Sequence, residues 1–186
     1  TGIDALSQAI ESFWSVKATE ESKMYSRKAI SLASASLAEA VNSPTPRARA
    51  AMSEAAYLAG KAINIAKTTA CHAISYPLTA YFGIPHGHAV GLTLPQMFLY
   101  NAEVMDGDLL RDLMNALGVQ TPKEGAEFLE NLMRDIGLET KLTELNIGDE
   151  NSRNVIIENV FKTDRVQNNP RRLTKEALER ILINIS

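Results

Sequence analysis

The residues best suited to chemistry crowd into one stretch, Lys67–Gly87, KTTACHAISYPLTAYFGIPHG, which holds two of the chain's three histidines, two tyrosines, two prolines and a single lysine in an apolar setting. Imidazole is a ligand for divalent first-row metals. His72 and Tyr76 stand four apart and share a face if the segment is helical. His86 lies between Pro85 and Gly87, where a helix is not expected to continue. A helical histidine followed by a loop histidine can converge on one point, as a metal site requires. Oxygen or amide partners from elsewhere would complete such a site. Asp4 and Gln8, also four apart, are candidates. They read either as polar edge residues, with Asp4 favouring a helix start, or as two oxygen ligands from adjacent turns.

The bulk properties bound the setting. A chain of 186 residues is long enough for one domain with a substantial core. With 45% apolar and 22% charged residues its composition is that of an ordinary globular protein. A net charge of −3 and a pI near 5.7 argue against a nucleic-acid binder. The single cysteine, Cys71, excludes an internal disulfide framework and suits a reducing, cytoplasmic compartment. No apolar run approaches the roughly 20 residues of a membrane helix, and no signal peptide is recognisable. The first residue is Thr rather than Met, so the chain is expected to be a fragment.

Helices must position these groups. Apolar residues Ile3, Leu6, Ala9, Ile10, Phe13 and Trp14 recur at three and four, which predicts a helix over 2–16. A second is expected over 20–41, and a third from Arg47 towards Ile65 after the Ser43–Pro46 turn signal. The next is expected over 64–80, with Pro77 kinking or breaking it. Another should lie in the buried run after Gly87. Shorter helices are expected over 109–117, from Thr121 to Gly137, over 152–162, and over 175–183 behind a Thr174 cap that lacks the Glu or Gln of a full capping box. Gln167–Arg171 reads as a loop. With no alternating strand and no repeat, the expectation is an all-α, multi-helix bundle.

Three segments in order, GIDALSQAIES, HAISYPLTAYFGIPHGHAVGLTLP and NNPRRLT, resemble the iron-containing (group III) alcohol dehydrogenases. The likeness spans residues 1–186 and falls on that family's C-terminal helical domain, in a dehydroquinate synthase-like architecture. The resemblance implies a divalent metal, Fe2+ first and Zn2+ second, acting as a Lewis acid for hydride exchange with NAD(H) or NADP(H). Carried over by position, Asp4, His72 and His86 match metal ligands. Gln8 stands where the family usually has a histidine, so either its amide oxygen coordinates or water takes its place. Tyr76 likewise stands where many members carry a histidine assigned to proton relay or cofactor contact. It is either a catalytic proton donor or a packed tyrosine. His88 is a candidate for supporting the ligands or relaying protons, against a structural donor.

The resemblance also implies a preceding nucleotide-binding domain. This chain has no GxGxxG or other phosphate-cradling glycine cluster, so alone it is expected to be inactive and not to bind NAD(P) productively. A homodimer formed through that domain is a further expectation. Lys67 and Arg165 are either solvated cations or substrate-binding groups for an anionic head group. The run INIAKTTACHAISYPLT resembles the phosphonoacetaldehyde reductase branch, which implies a small anionic aldehyde as substrate. Two other readings stand beside it: a glycerol dehydrogenase-like polyol oxidoreductase, and a metal-free helical module that only binds or assembles. The DALxxAIE and PHG spacings favour the alcohol dehydrogenase branch.

Overall fold

The computed structural model describes residues 1–186 and contains nine α-helices, one 3-10 helix and no strand. In order these are α1 (Gly2–Trp14), α2 (Glu20–Asn42), α3 (Pro46–Ala66), α4 (Ala70–Phe82), α5 (His86–Ala102), α6 (Gly107–Leu117), α7 (Pro122–Asp135), α8 (Glu150–Val160), the 3-10 helix Asp164–Asn168, and α9 (Lys175–Asn184). The expected all-helical bundle is the observed one. No helix is long and apolar enough to cross a membrane.

Local chemistry sets most helix starts. The side chains of Thr19, Thr45, Thr121 and Thr174 each accept from a backbone N–H one turn on, and Pro46 and Pro122 begin their helices. Thr174 caps through one bond, from Ala177 N at 3.2 Å.

Helix α1 is the element the others wrap. It packs against α2, α3 and α5, and Leu6, Ala9, Ile10 and Phe13 have no exposed surface. Trp14 lies against Phe98 of α5, with ring centroids 6.2 Å apart and planes tilted by 60°. Burying each of Leu6, Ile10 and Phe13 contributes about 1.5–3 kcal/mol. A helix so enclosed is a rigid platform, which suits a group that must hold an ion.

Three expected boundaries are corrected. The helix expected over 64–80 is split: α3 runs to Ala66 and α4 begins at Ala70. The break is Lys67, with φ 64° and ψ 170°, a conformation that a side chain other than glycine adopts only under strain. Distant partners over-determine it. Ser15 Oγ donates to Ala66 O at 2.6 Å, and Asn168 Nδ2 donates to Thr68 O at 2.9 Å. Pro77 does not break α4, which continues to Gly83 in the left-handed conformation. The second correction concerns His86, which is not in a loop but is the first residue of α5. Pro85 stands at its N-cap with φ −53°, and its carbonyl accepts from Ala89 N at 2.9 Å. Pro85 has no N–H to satisfy, and the start of a helix requires none. Gln167 and Asn168, expected in a loop, end the 3-10 helix.

Candidate metal centre

Three helices converge on one point. Asp4 comes from the first turn of α1, His72 from the first turn of α4 and His86 from the first residue of α5. Gly87 allows the approach of α5 to α1, because a Cβ there would lie 3.1 Å from the Asp4 Cβ. One ligand atom from each of Asp4, His72 and His86 lies within 4.8 Å of the others. Asp4 Oδ1 is 3.4 Å from His72 Nε2 and 3.8 Å from His86 Nε2. Both Asp4 Oδ1 and His72 Nε2 are buried without a hydrogen-bond partner. Such orphaned atoms are costly, and a cation held between them would satisfy both. The donor set, one carboxylate and two imidazoles, suits iron or zinc. The residues fit a divalent metal.

The remaining imidazole nitrogens are held from behind. Ser75 Oγ donates to His72 O at 2.8 Å and lies 3.3 Å from His86 Nδ1. With its one proton on the carbonyl, Ser75 can only accept from His86 Nδ1–H, which leaves Nε2 free for a metal. His72 Nδ1 meets the carboxylate of Glu11. Glu11 is wholly buried and was not among the candidates from sequence, although it lies on the same face of α1 as Asp4 and Gln8, seven and three residues on. A glutamate embedded between Ile10, Phe13 and Trp14 is itself a signal, since glutamate is almost never fully buried unless paired.

The other candidates have these positions. Gln8 Nε2 donates to Asp4 Oδ2 at 3.1 Å, so the two expected oxygen ligands also contact each other. Tyr76 is 38% exposed, enough to be reached from outside. Its ring is stacked on that of His86 at 6.4 Å and 15°, and the Arg165 guanidinium lies 5.5 Å from its centroid. Lys67 and Arg165 border one open cleft of about 300 Å3 together with Asn64 and Thr68. Arg165 also donates to Thr68 Oγ1, and Lys67 Nζ donates to Asn64 O at 3.1 Å. The three ligands do not line that cleft; Tyr76 joins the two regions. His88 is buried, and its Nε2 bonds to Glu139 O at 2.8 Å, which ties α5 to the loop after α7.

The electrostatics match a cation site. Burial pushes the Glu11 carboxyl up, but the charge of His72 and bonds from His72, Thr69 and Cys71 N outweigh it and hold it below its ordinary value. Asp4 is lowered in the same way, burial being outweighed by His72 and then His86. Burial alone would lower His72; the carboxylates of Glu11 and Asp4 instead raise it from 6.5 to about 9. The sign follows. Without metal, this attraction stabilises the fold fully below about pH 6.5 and is lost as pH rises through about 9. A metal must displace the His72 proton, so metal affinity should rise by roughly tenfold per pH unit towards pH 9 and then flatten. Chelator competition from pH 6 to 10 checks this; a flat profile would contradict it.

Comparisons with known proteins agree with the all-helical fold. The family model described as "Fe-containing alcohol dehydrogenase family, C-terminal" matches residues 1–185. The chain belongs to that family. It is 38% identical to phosphonoacetaldehyde reductase of Streptomyces viridochromogenes, over 98% of this chain and 48% of the relative. Among solved structures it is similar to sulfoacetaldehyde reductase from Bifidobacterium kashiwanohense in complex with NAD+, with TM-score 0.91, 33% identity, and coverage of 99% of this chain and 48% of that one. It is also similar to a 1,3-propanediol oxidoreductase, with TM-score 0.91, 27% identity, and coverage of 100% and 50%. The chain spans about half the length of the relatives it matches.

Proposed function

We propose that this chain is the metal- and substrate-binding half of an NAD(H)- or NADP(H)-dependent reductase acting on a small anionic aldehyde, with a nucleotide-binding domain as its other half. The observation that carries the reading is the convergence of Asp4, His72 and His86, with Asp4 Oδ1 and His72 Nε2 buried and unpartnered. Bound there, Fe2+ or Zn2+ supplies Lewis-acid polarisation of an alcohol or carbonyl oxygen. Asp4 contributes the negative charge, and His72 and His86 present Nε2. Tyr76, stacked on His86 at the open side, is the candidate proton donor. Gln8 keeps Asp4 oriented and is the candidate for a fourth ligand.

The anionic substrate rests on Arg165 and Lys67. Their two positive charges face one cleft, and a guanidinium can grip a phosphonate, sulfonate or carboxylate with two parallel bonds. The names of two relatives, phosphonoacetaldehyde reductase and sulfoacetaldehyde reductase, support an anionic head group. The strained Lys67 backbone beside this cleft is in keeping with a working position. Cys71 is fully buried, which pushes its thiol well up and away from reactive thiolate; an unreactive lone thiol is in keeping with a cytoplasmic enzyme.

The test is the metal content of anaerobically purified full-length protein, paired with an NAD(P)H oxidation screen over anionic and neutral aldehydes. Near-stoichiometric iron or zinc, with faster turnover of anionic aldehydes, is expected. A metal-free protein without turnover would overturn the reading.

A further inference from the structure

Glu11 is the one wholly buried carboxylate of the chain, and both of its oxygens are engaged by the ligand segment. Its Oε1 accepts from Thr69 Oγ1 at 2.7 Å, from Cys71 N at 2.7 Å and from His72 N at 3.4 Å; its Oε2 faces His72 Nδ1. Thr69 in turn accepts from Trp14 Nε1 at 2.9 Å, so the hydroxyl proton is committed to Glu11. Trp14 and Glu11 lie on α1, three residues apart. The helix that supplies Asp4 thereby also grips the first turn of α4, by backbone and by ring.

We infer that Glu11 is a positioning residue for the metal: it accepts from His72 Nδ1–H, holds the imidazole so that Nε2 points at Asp4 Oδ1, and locks the start of α4 in register with α1. This rests on His72 being a metal ligand. The physical argument is one of donors and acceptors. A carboxylate offers only acceptors, and all four of its neighbours here are donors. If the residue were an amide, its NH2 would have to face a donor in either orientation. Placed at Oε2, it would push His72 Nδ1 to become an acceptor and move the ring proton to Nε2, closing the metal-binding lone pair. Placed at Oε1, it would meet Cys71 N–H, a backbone donor that cannot rotate away. Outer carboxylates on metal-bound histidines commonly matter to metal affinity by about 10–100-fold.

The test is Glu11→Gln in the full-length protein, with zinc as the probe. Three readouts are taken: apo melting, zinc affinity by chelator competition, and the proton spectrum of zinc-loaded, 15N-histidine-labelled protein. The wild type should bind zinc and show a far-downfield, slowly exchanging Nδ1–H resonance from His72. In Glu11→Gln, zinc affinity should fall about 10–100-fold and that resonance should shift upfield or vanish, while the apo protein still melts cooperatively. Thr69→Val, which removes one donor without touching charge, should weaken zinc in the same direction by a smaller factor, and it decides the matter if the amide variant does not fold. Zinc affinity within twofold of wild type, with the resonance unmoved, would overturn the inference and leave the metal site standing. A weakened affinity with an unmoved resonance would reduce Glu11 to a packing role and overturn it too. Wild-type protein that binds no zinc would overturn both this inference and the metal reading beneath it.

Discussion

In full-length protein, His86→Ala should cut metal affinity by at least two orders of magnitude and turnover by about a thousandfold, while leaving the melting temperature of the metal-free protein nearly unchanged. A thousandfold corresponds to about 4 kcal/mol of transition-state stabilisation, the scale expected of a lost Lewis acid. Stability should hold because the His86 side chain is 43% exposed and its only polar neighbour behind the ring is the neutral Ser75. His72→Ala should behave differently. It should abolish metal binding as well, but it also strands Glu11, a wholly buried carboxylate, without its cationic partner. Breaking a buried pair from one side costs about 3–5 kcal/mol. The expected pattern is two variants alike in metal content and activity, of which only the His72 variant loses thermal stability. Metal analysis and calorimetry on both check it, and full turnover in either would remove that histidine from the site.

Arg165→Ala should raise KM for anionic aldehydes about 10–100-fold, with kcat changed much less and with neutral aldehydes affected less than twofold. The magnitude is that of one charge-assisted, two-bond contact, about 1.5–3 kcal/mol. The cleft geometry supports the direction, since Arg165 and Lys67 border the same space and no other charged residue lines it. Arg165→Lys keeps the charge and loses the planar fork, so it should fall between the two. Because Arg165 also bonds Thr68 and lies over Tyr76, steady-state kinetics must be paired with a melting curve. An equal rise in KM for neutral and anionic substrates would show that the residue shapes the site without reading charge.

Much of this molecule was legible from local sequence. Helix faces follow the three-and-four recurrence of Leu6, Ile10 and Phe13, and helix starts follow Thr19, Thr45, Thr121 and Thr174, because caps and amphipathic stripes are satisfied within a turn or two of chain. The chemical types at Asp4, His72 and His86 were equally visible, and the structure brings those three together. Other features depend on partners far along the chain. The break at Lys67 is held by Ser15 and Asn168, and the cleft pairs Lys67 with Arg165. His88 is engaged by the carbonyl of Glu139. Glu11 reads as one more polar residue on a helix until Thr69, Cys71 and His72 close over it. Periodicity tells which face of a helix is apolar, because that preference is written in neighbouring residues. Which polar group is buried, and what satisfies it there, is decided only when helices distant in sequence pack and exclude water from between them.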